Sequence, residues 1–209
     1  MALRTAYPGG KCLCEDPVVY AFEDFVSDAE CEHIKGIASP HLQRGQVSGV
    51  NGGVRSQGRS NDLTWLPHDT DEVTSAVTER VAVLVGLPSE NAESMQVIRY
   101  EPGQEYRHHF DAYNLASERG RRCCIRGGQR LVTTLIYLSE VEEGGCTGFP
   151  RLGMAVVPRK RTMLLFHNCH HDTTYVHPDT LHAGLPVVRG VKWAVNLWFR
   201  ERPYRLPDE

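Results

Sequence analysis

The sequence predicts a mainly β fold of the α+β class, an antiparallel barrel or sandwich supported by helices near its N-terminus. Three observations predict it. Short apolar stretches of strand length crowd the second half, at 95–100, 129–138, 153–158, 161–167 and 191–200, parted by turn-rich segments such as the one ending in Gly144, Gly145 and Gly148. The first half instead carries apolar residues at helical spacing. No internal repeat or low-complexity tract interrupts the pattern.

Taken in order, residues 17–22 read as a first strand, and Ser27 with Glu30 three residues on forms a capping box that opens a helix running to about Ala38. The stretch 40–62 is rich in Gly, Ser and Arg and has no apolar period, which predicts a mobile surface loop and a candidate lid. Val73, Val77, Val81 and Leu84 then recur at helical spacing, with Gly86 and Pro88 as a stop. Every later element is a short strand. A chain of 209 residues suits one domain, 1–209, with strand and helical support over 1–90 and the β core over 91–209.

Composition narrows the function classes. With 41% hydrophobic and 23% charged residues the chain is neither disordered nor a membrane protein, and a net charge of -3 supplies no whole-protein field for nucleic acid. No apolar run approaches the roughly 18 residues of a spanning helix, and the first twenty residues lack the apolar stretch of a secretory signal. A cytoplasmic protein, monomer or homodimer, is the expectation. Seven cysteines without paired spacing do not make a disulfide framework, and neither Cys12-x-Cys14 nor Cys123-Cys124 has the C-x-x-C spacing of a zinc site.

His-x-Asp occurs three times, ending at Asp111, Asp172 and Asp179. Context separates them. Residues i and i+2 of a strand share a face, so His109 and Asp111, just after the strand at 95–100 and a Pro102-Gly103 turn, would present an imidazole and a carboxylate to one ion. The other two lie in a polar segment where Pro178 argues against regular pairing. Two histidines and one carboxylate on one side of a metal leave open positions for O₂ and a cosubstrate. His182, at the start of a later strand, is the best third ligand. Ten residues beyond it, Lys192 opens the last strand, where alternation puts Lys192, Ala194, Asn196 and Trp198 on one face and Trp193, Val195, Leu197 and Phe199 on the other, beneath the helices. A lysine turned into a barrel needs an anion.

These residues resemble the prolyl 4-hydroxylase branch of the 2-oxoglutarate and Fe(II)-dependent dioxygenases. The stretches that carry the resemblance are MQVIRYEPGQEYRHHFD, GGQRLVTTLIYLSEVEEGGCTGFP and LHAGLPVVRGVKWAVNLWF, with weaker echoes in PVVYAFEDFVSDAEC and GRSNDLTWL. It implies a double-stranded β-helix, a cupin-like jelly roll. It implies His109, Asp111 and His182 as iron ligands and Lys192 as the partner of the distal carboxylate of 2-oxoglutarate. Tyr100 and Thr147 match positions that help hold that cosubstrate, and Tyr137 lies close by. Glu93, Tyr106, Arg130 and Trp198 match the lining of a prolyl site, and Arg59 and Ser60 resemble part of a loop that closes over peptide. Fe(II), 2-oxoglutarate, O₂ and ascorbate as reductant are the implied cofactors.

The resemblance leaves three functions: hydroxylation of prolyl residues in a peptide or protein, hydroxylation of a free amino acid or natural-product intermediate, and a non-catalytic metal-binding module. The sequence also departs from the family. His167 stands where members often carry Trp, 115–130 is unusually basic, and 167–177 is unusually rich in histidine. Both segments read as solvated loops, or Arg119, Arg121, Arg122 and Arg126 recognise an acidic or carboxylate-bearing substrate.

Overall fold

Alternation along one strand organises the molecule. In the computed structural model, which describes residues 3–49, 52–54 and 56–205, the C-terminal strand β16 (Lys192–Arg200) is central to an eight-stranded antiparallel sheet. Its other strands are β1 (Lys11–Glu15), β2 (Val18–Phe22), β3 (Gln43–Arg44), β6 (Asp62–Leu66), β7 (Met95–Tyr100), β9 (Arg130–Tyr137) and β13 (Met163–His167). They lie in the order β1-β2-β13-β9-β16-β7-β6-β3. A smaller sheet runs β12 (Met154–Val156), β11 (Thr147–Phe149), β14 (His182–Gly184), β8 (Tyr106–His109). Two further pairs are β4 (Val47–Gly49) with β5 (Gly52–Val54), and β10 (Glu143–Gly144) with β15 (Val187–Arg189). This is the double-stranded β-helix that the family resemblance implies.

Each face of the main sheet has its own core. Val195, Leu197 and Phe199 of β16 join Val97 and Ile136 in packing against Ile34 of α1 (Asp28–Ala38) and Val77, Val81 and Val85 of α2 (Glu72–Val85). The alternate residue Ala194 packs instead with Tyr100, Tyr137, Phe149 and Phe166. The helices therefore cover one side, and the smaller sheet shapes a cavity on the other.

Both long helices begin where polar side chains satisfy their first amide groups. Ser27 and Glu30 form the expected capping box, with Ser27 N–H donating to Glu30 Oε2 at 2.7 Å and Glu30 N–H to Ser27 Oγ at 3.2 Å. Asp71 and Thr74 do the same for α2, which ends on Gly86 at φ +79°.

The stretch 40–62 departs from the loop reading. It carries β3, the β4–β5 pair and the start of β6, which aligns Asp62–Leu66 with Met95–Arg99 of β7. Strands of two or three residues are too short for alternation to register in sequence. Positions 50, 51 and 55 lie outside the described residues. The basic segment contains a short helix, α3 (Glu118–Cys123), whose cap Ser117 accepts from Gly120 N–H at 3.0 Å. The His-rich segment is only partly solvated, since His177, Asn168 and Cys169 are buried. All seven cysteines are unpaired, and no helix among the described residues is long and apolar enough to cross a membrane.

Candidate metal centre and active site

Strand pairing creates the site. His109, the last residue of β8, is the cross-strand neighbour of His182, the first of β14, which brings their ring centroids to 4.3 Å. Asp111 follows two residues beyond His109 and is buried. His109 Nε2 lies 3.7 Å from Asp111 Oδ1 and His182 Nε2 3.6 Å from Asp111 Oδ2. One ligand atom from each residue lies within 4.8 Å of the others, the sole such group of three or more metal-binding side chains among the described residues.

The tautomers follow from the backbone. Nδ1 of His109 is 2.8 Å from the Arg107 carbonyl and Nδ1 of His182 is 2.9 Å from the Thr180 carbonyl. A carbonyl only accepts, so each Nδ1 carries a proton, which in the neutral ring leaves the Nε2 lone pair to face the carboxylate and a metal between them. Asp111 Oδ2 in turn accepts from Thr133 Oγ1 at 2.8 Å, and Thr133 also bonds Asn168. Burial, with the neighbouring His182, pushes the His109 pKa far below the usual imidazole range. Burial opposes ionisation of Asp111, but the two histidines, Arg130 and Trp198 more than offset it and hold the carboxyl below its ordinary value. Neutral imidazoles beside an ionised carboxylate are the forms that bind a divalent cation. The donor set fits Fe(II).

The competing His-x-Asp triplets hold no comparable group. His171 and Asp172 pair at 3.2 Å on the surface, whereas His177 Nε2 faces Asp16 at 3.3 Å and its Nδ1 accepts from Asp179 N–H.

Lys192 is 2% exposed. Its Nζ donates to the Gly145 carbonyl at 2.6 Å and stands 5.4 Å from the ring centroids of both Tyr100 and Tyr137. No carboxylate among the described residues pairs with it, and burial pulls its pKa down to about 8. Tyr137 and Thr147 share a hydrogen bond of 2.8 Å beside it. A buried ammonium with one carbonyl partner and hydroxyls around it fits a carboxylate ligand.

Arg130 and Trp198 form one wall of the cavity, with the guanidinium 3.7 Å from the indole centroid. Glu93 lies behind Arg130 rather than in the cavity and is clamped by both Arg130 and Arg200. Tyr106 stacks on His109 at 3.6 Å between centroids. Arg59 is buried, stands 4.5 Å from the Tyr106 ring centroid and donates to Gln96 Oε1 at 2.9 Å. Ser60 does not line the cavity. Its hydroxyl donates to the Glu105 carbonyl and accepts from Glu105 N–H.

One cavity is lined by the three candidate ligands and by Lys192, Tyr100, Thr147, Tyr106, Arg130, Trp198 and Arg59. Of Arg119, Arg121, Arg122 and Arg126 only Arg119 lines it, while Arg121 folds back on the Leu115 and Ala116 carbonyls and Arg126 donates to the Tyr204 carbonyl. Sequence reasoning missed Gln96, Thr133 and Arg200. The signal was present, because alternation places Gln96 with Tyr100, Thr133 with Tyr137, and Arg200 with Trp198.

A β-helix that presents two imidazoles and a carboxylate beside a buried lysine has the make-up of a mononuclear non-haem oxygenase with an anionic cosubstrate. The chain belongs to the 2OG-Fe(II) oxygenase superfamily, whose family model matches residues 95–200. It is therefore a dioxygenase that uses Fe(II), 2-oxoglutarate and O₂. It is 33% identical to probable prolyl 4-hydroxylase 8 of Arabidopsis thaliana, over 90% of this chain and 70% of that protein. It is also 33% identical to a putative prolyl 4-hydroxylase of Acanthamoeba polyphaga mimivirus, over 88% and 75%. Among solved structures it is similar to the viral collagen prolyl hydroxylase of Paramecium Bursaria Chlorella virus-1 in its 2OG complex, with TM-score 0.72 and 30% identity, over 90% of this chain and 98% of that one.

Proposed function

We propose that this chain hydroxylates prolyl residues within a peptide or protein, with iron held by His109, Asp111 and His182 and the distal carboxylate of 2-oxoglutarate on Lys192. The chemistry supplied when metal, cosubstrate and O₂ are bound is oxidative decarboxylation to succinate and CO₂, with one oxygen atom placed in a substrate C–H bond. The protein's own groups prepare for this. The Arg107 and Thr180 carbonyls hold the ligand tautomers, Thr133 holds the Asp111 carboxylate in one orientation, and Lys192 neutralises a carboxylate where water is excluded. Tyr106, Arg130 and Trp198 wall the space beside the metal ligands, where a prolyl ring would be fixed toward the reacting centre.

One observation favours a polymer over a free amino acid. Two grooves border the cavity, one sharing Gln46, Trp65 and Gln96 with it and the other Val47, Tyr106, His109, Phe110, Tyr113 and Arg119. An extended chain fits such a path, while a small molecule needs only the central space. Trp65, 46% exposed and 5.9 Å from Trp198 between ring centroids, offers an aromatic surface along it. The test is 2-oxoglutarate turnover with Fe(II), ascorbate and either proline-rich peptides or free amino acids, read by mass spectrometry for a gain of one oxygen. Peptide-dependent succinate with that mass gain is expected. Turnover with free amino acids alone would overturn the reading.

A further inference from the structure

The groove that leaves the cavity past Tyr106 and Tyr113 is bordered by Arg107 and His108 and reaches α3, where Arg119 lines both the cavity and the groove. Among the described residues Asp111 is the one acidic residue lining either space. It belongs to the candidate metal centre and accepts from the Thr133 hydroxyl.

Most of the cations around it are also occupied. Arg130 is neutralised by Glu93, Arg107 pairs with Glu105, and Arg59 donates to Asn61, Gln96 and the Gln46 carbonyl. Arg119 differs. It is exposed and makes no ion pair, hydrogen bond or ring contact among the described residues, yet its charge is felt at the Tyr106 phenol stacked on His109. The short helix that carries it is fixed in place. A Cβ at the adjacent Gly120 would fall 1.9 Å from the Asn114 carbonyl oxygen, so the first turn of α3 is pressed against the backbone that follows the metal ligands.

We propose that Arg119 is a specificity-determining residue that receives a carboxylate side chain, Asp or Glu, flanking the oxidised proline, so that acidic prolyl peptides are the favoured substrates. The proposal rests on the prolyl reading above. An unpartnered guanidinium at the junction of cavity and groove attracts a carboxylate, and with Arg59, whose partners are all neutral, it raises the cost of bringing a lysine there. Geometry also leaves Arg119 as the one of Arg119, Arg121, Arg122 and Arg126 that lines the cavity or this groove, and Arg121 and Arg126 donate to backbone carbonyls.

The experiment uses the whole chain with Fe(II) and 2-oxoglutarate and peptides matched except for Glu, Gln or Lys scanned over the positions flanking a single proline. At one position the Glu peptide should show a KM about two- to fivefold below that of its Gln counterpart, the span of an exposed Arg–carboxylate pair, with kcat unchanged and the advantage shrinking at high salt. Arg119→Lys should keep the preference, Arg119→Ala should remove it, and Arg119→Glu should turn it toward the Lys peptide. Equal KM for Glu and Gln peptides at every position, or an unaltered preference in Arg119→Glu, would overturn the proposal while leaving prolyl hydroxylation standing. Turnover of none of the peptides would overturn both.

Discussion

The Arg130 guanidinium lies 3.7 Å from the centroid of the Trp198 ring, and what holds it there is a carboxylate outside the cavity. Arg130 Nε and Nη2 donate to the two oxygens of Glu93 at 2.6 and 2.8 Å, and Arg200 Nε donates to Glu93 Oε1 at 2.5 Å. Arg200 also donates to the Gly128 carbonyl, so one buried acid ties the end of β16, the start of β9 and the loop after α3 together.

Glu93→Gln should therefore damage both stability and substrate binding. It leaves two buried guanidiniums with reduced compensation, a cost of about 3–5 kcal/mol and a fall in Tm of roughly 10 °C for a domain of this size. Burial alone would raise the Glu93 pKa, but Arg130 and Arg200 hold it below the usual range. Its stabilisation is thus complete above the ordinary glutamate pKa of about 4.3 and is lost as pH falls through the lowered one. The Tm gap between wild type and variant should narrow only in strong acid. A gap of under about 1 °C at pH 7 would mean that the clamp is not structural.

Lys192 gives a sign-specific prediction for the cosubstrate. Burial lowers its pKa to about 8, whereas an unfolded lysine keeps its proton to about 10.4. Between these values the unfolded chain binds more protons, so the cosubstrate-free protein gains stability as pH rises across that window. Binding runs the other way, because a dianion needs the ammonium. The 2-oxoglutarate Kd should be flat below about pH 8 and then weaken toward tenfold per pH unit. Lys192→Met should raise it at least about 30-fold at neutral pH and flatten the profile. Calorimetric titration over pH 6–10 checks both, and a Kd indifferent to pH and to the substitution would remove Lys192 from the site.

The long periodic elements were legible because one face or stripe of each is buried. Val77 and Val81 mark α2, and the split of Val195 from Ala194 marks the two cores on either side of β16. The three candidate ligands could be picked out by spacing because His109 ends one strand and His182 begins another, and the two are cross-strand neighbours. What spacing did not reveal was pairing across strands. Nothing in the residues around Thr133 says that its hydroxyl meets Asp111, or that Arg200 reaches past Trp198 to Glu93, since those contacts depend on how β9 and β16 align. The short strands of 43–54 were illegible for a different reason, as two or three residues carry no period.

Thr133→Val isolates the support of the metal site. The exchange keeps the side-chain shape while removing the hydroxyl that donates to Asp111 Oδ2 and meets the Asn168 amide. The Asp111 carboxylate then loses its fixed orientation, and a loss of this kind costs about 10- to 100-fold in metal affinity. A titration with Fe(II) under anaerobic conditions, or with Mn(II), reads this without turnover. Unchanged metal affinity would show that the histidines alone set the geometry.

His167, buried at the end of β13, supplies the last prediction. It points away from the candidate metal centre, toward the helix-covered side, where its Nε2 lies 2.8 Å from the Tyr7 hydroxyl and the two rings meet edge to face at 5.9 Å. The N-terminal segment is thereby pinned to β13. Burial pushes the His167 pKa down to about 4, against about 6.5 in an unfolded chain. As pH falls from 6.5 toward 4 the unfolded chain takes up a proton that the folded one refuses, so stability drops by an amount on the order of 3 kcal/mol across that window. His167→Phe should abolish this part of the slope, and Tyr7→Phe should leave it largely in place, because the shift comes from burial rather than from the phenol. Urea midpoints for the three proteins at intervals from pH 7 to pH 4 separate the cases. If wild type and His167→Phe lose stability in parallel, the buried imidazole is not the group that titrates.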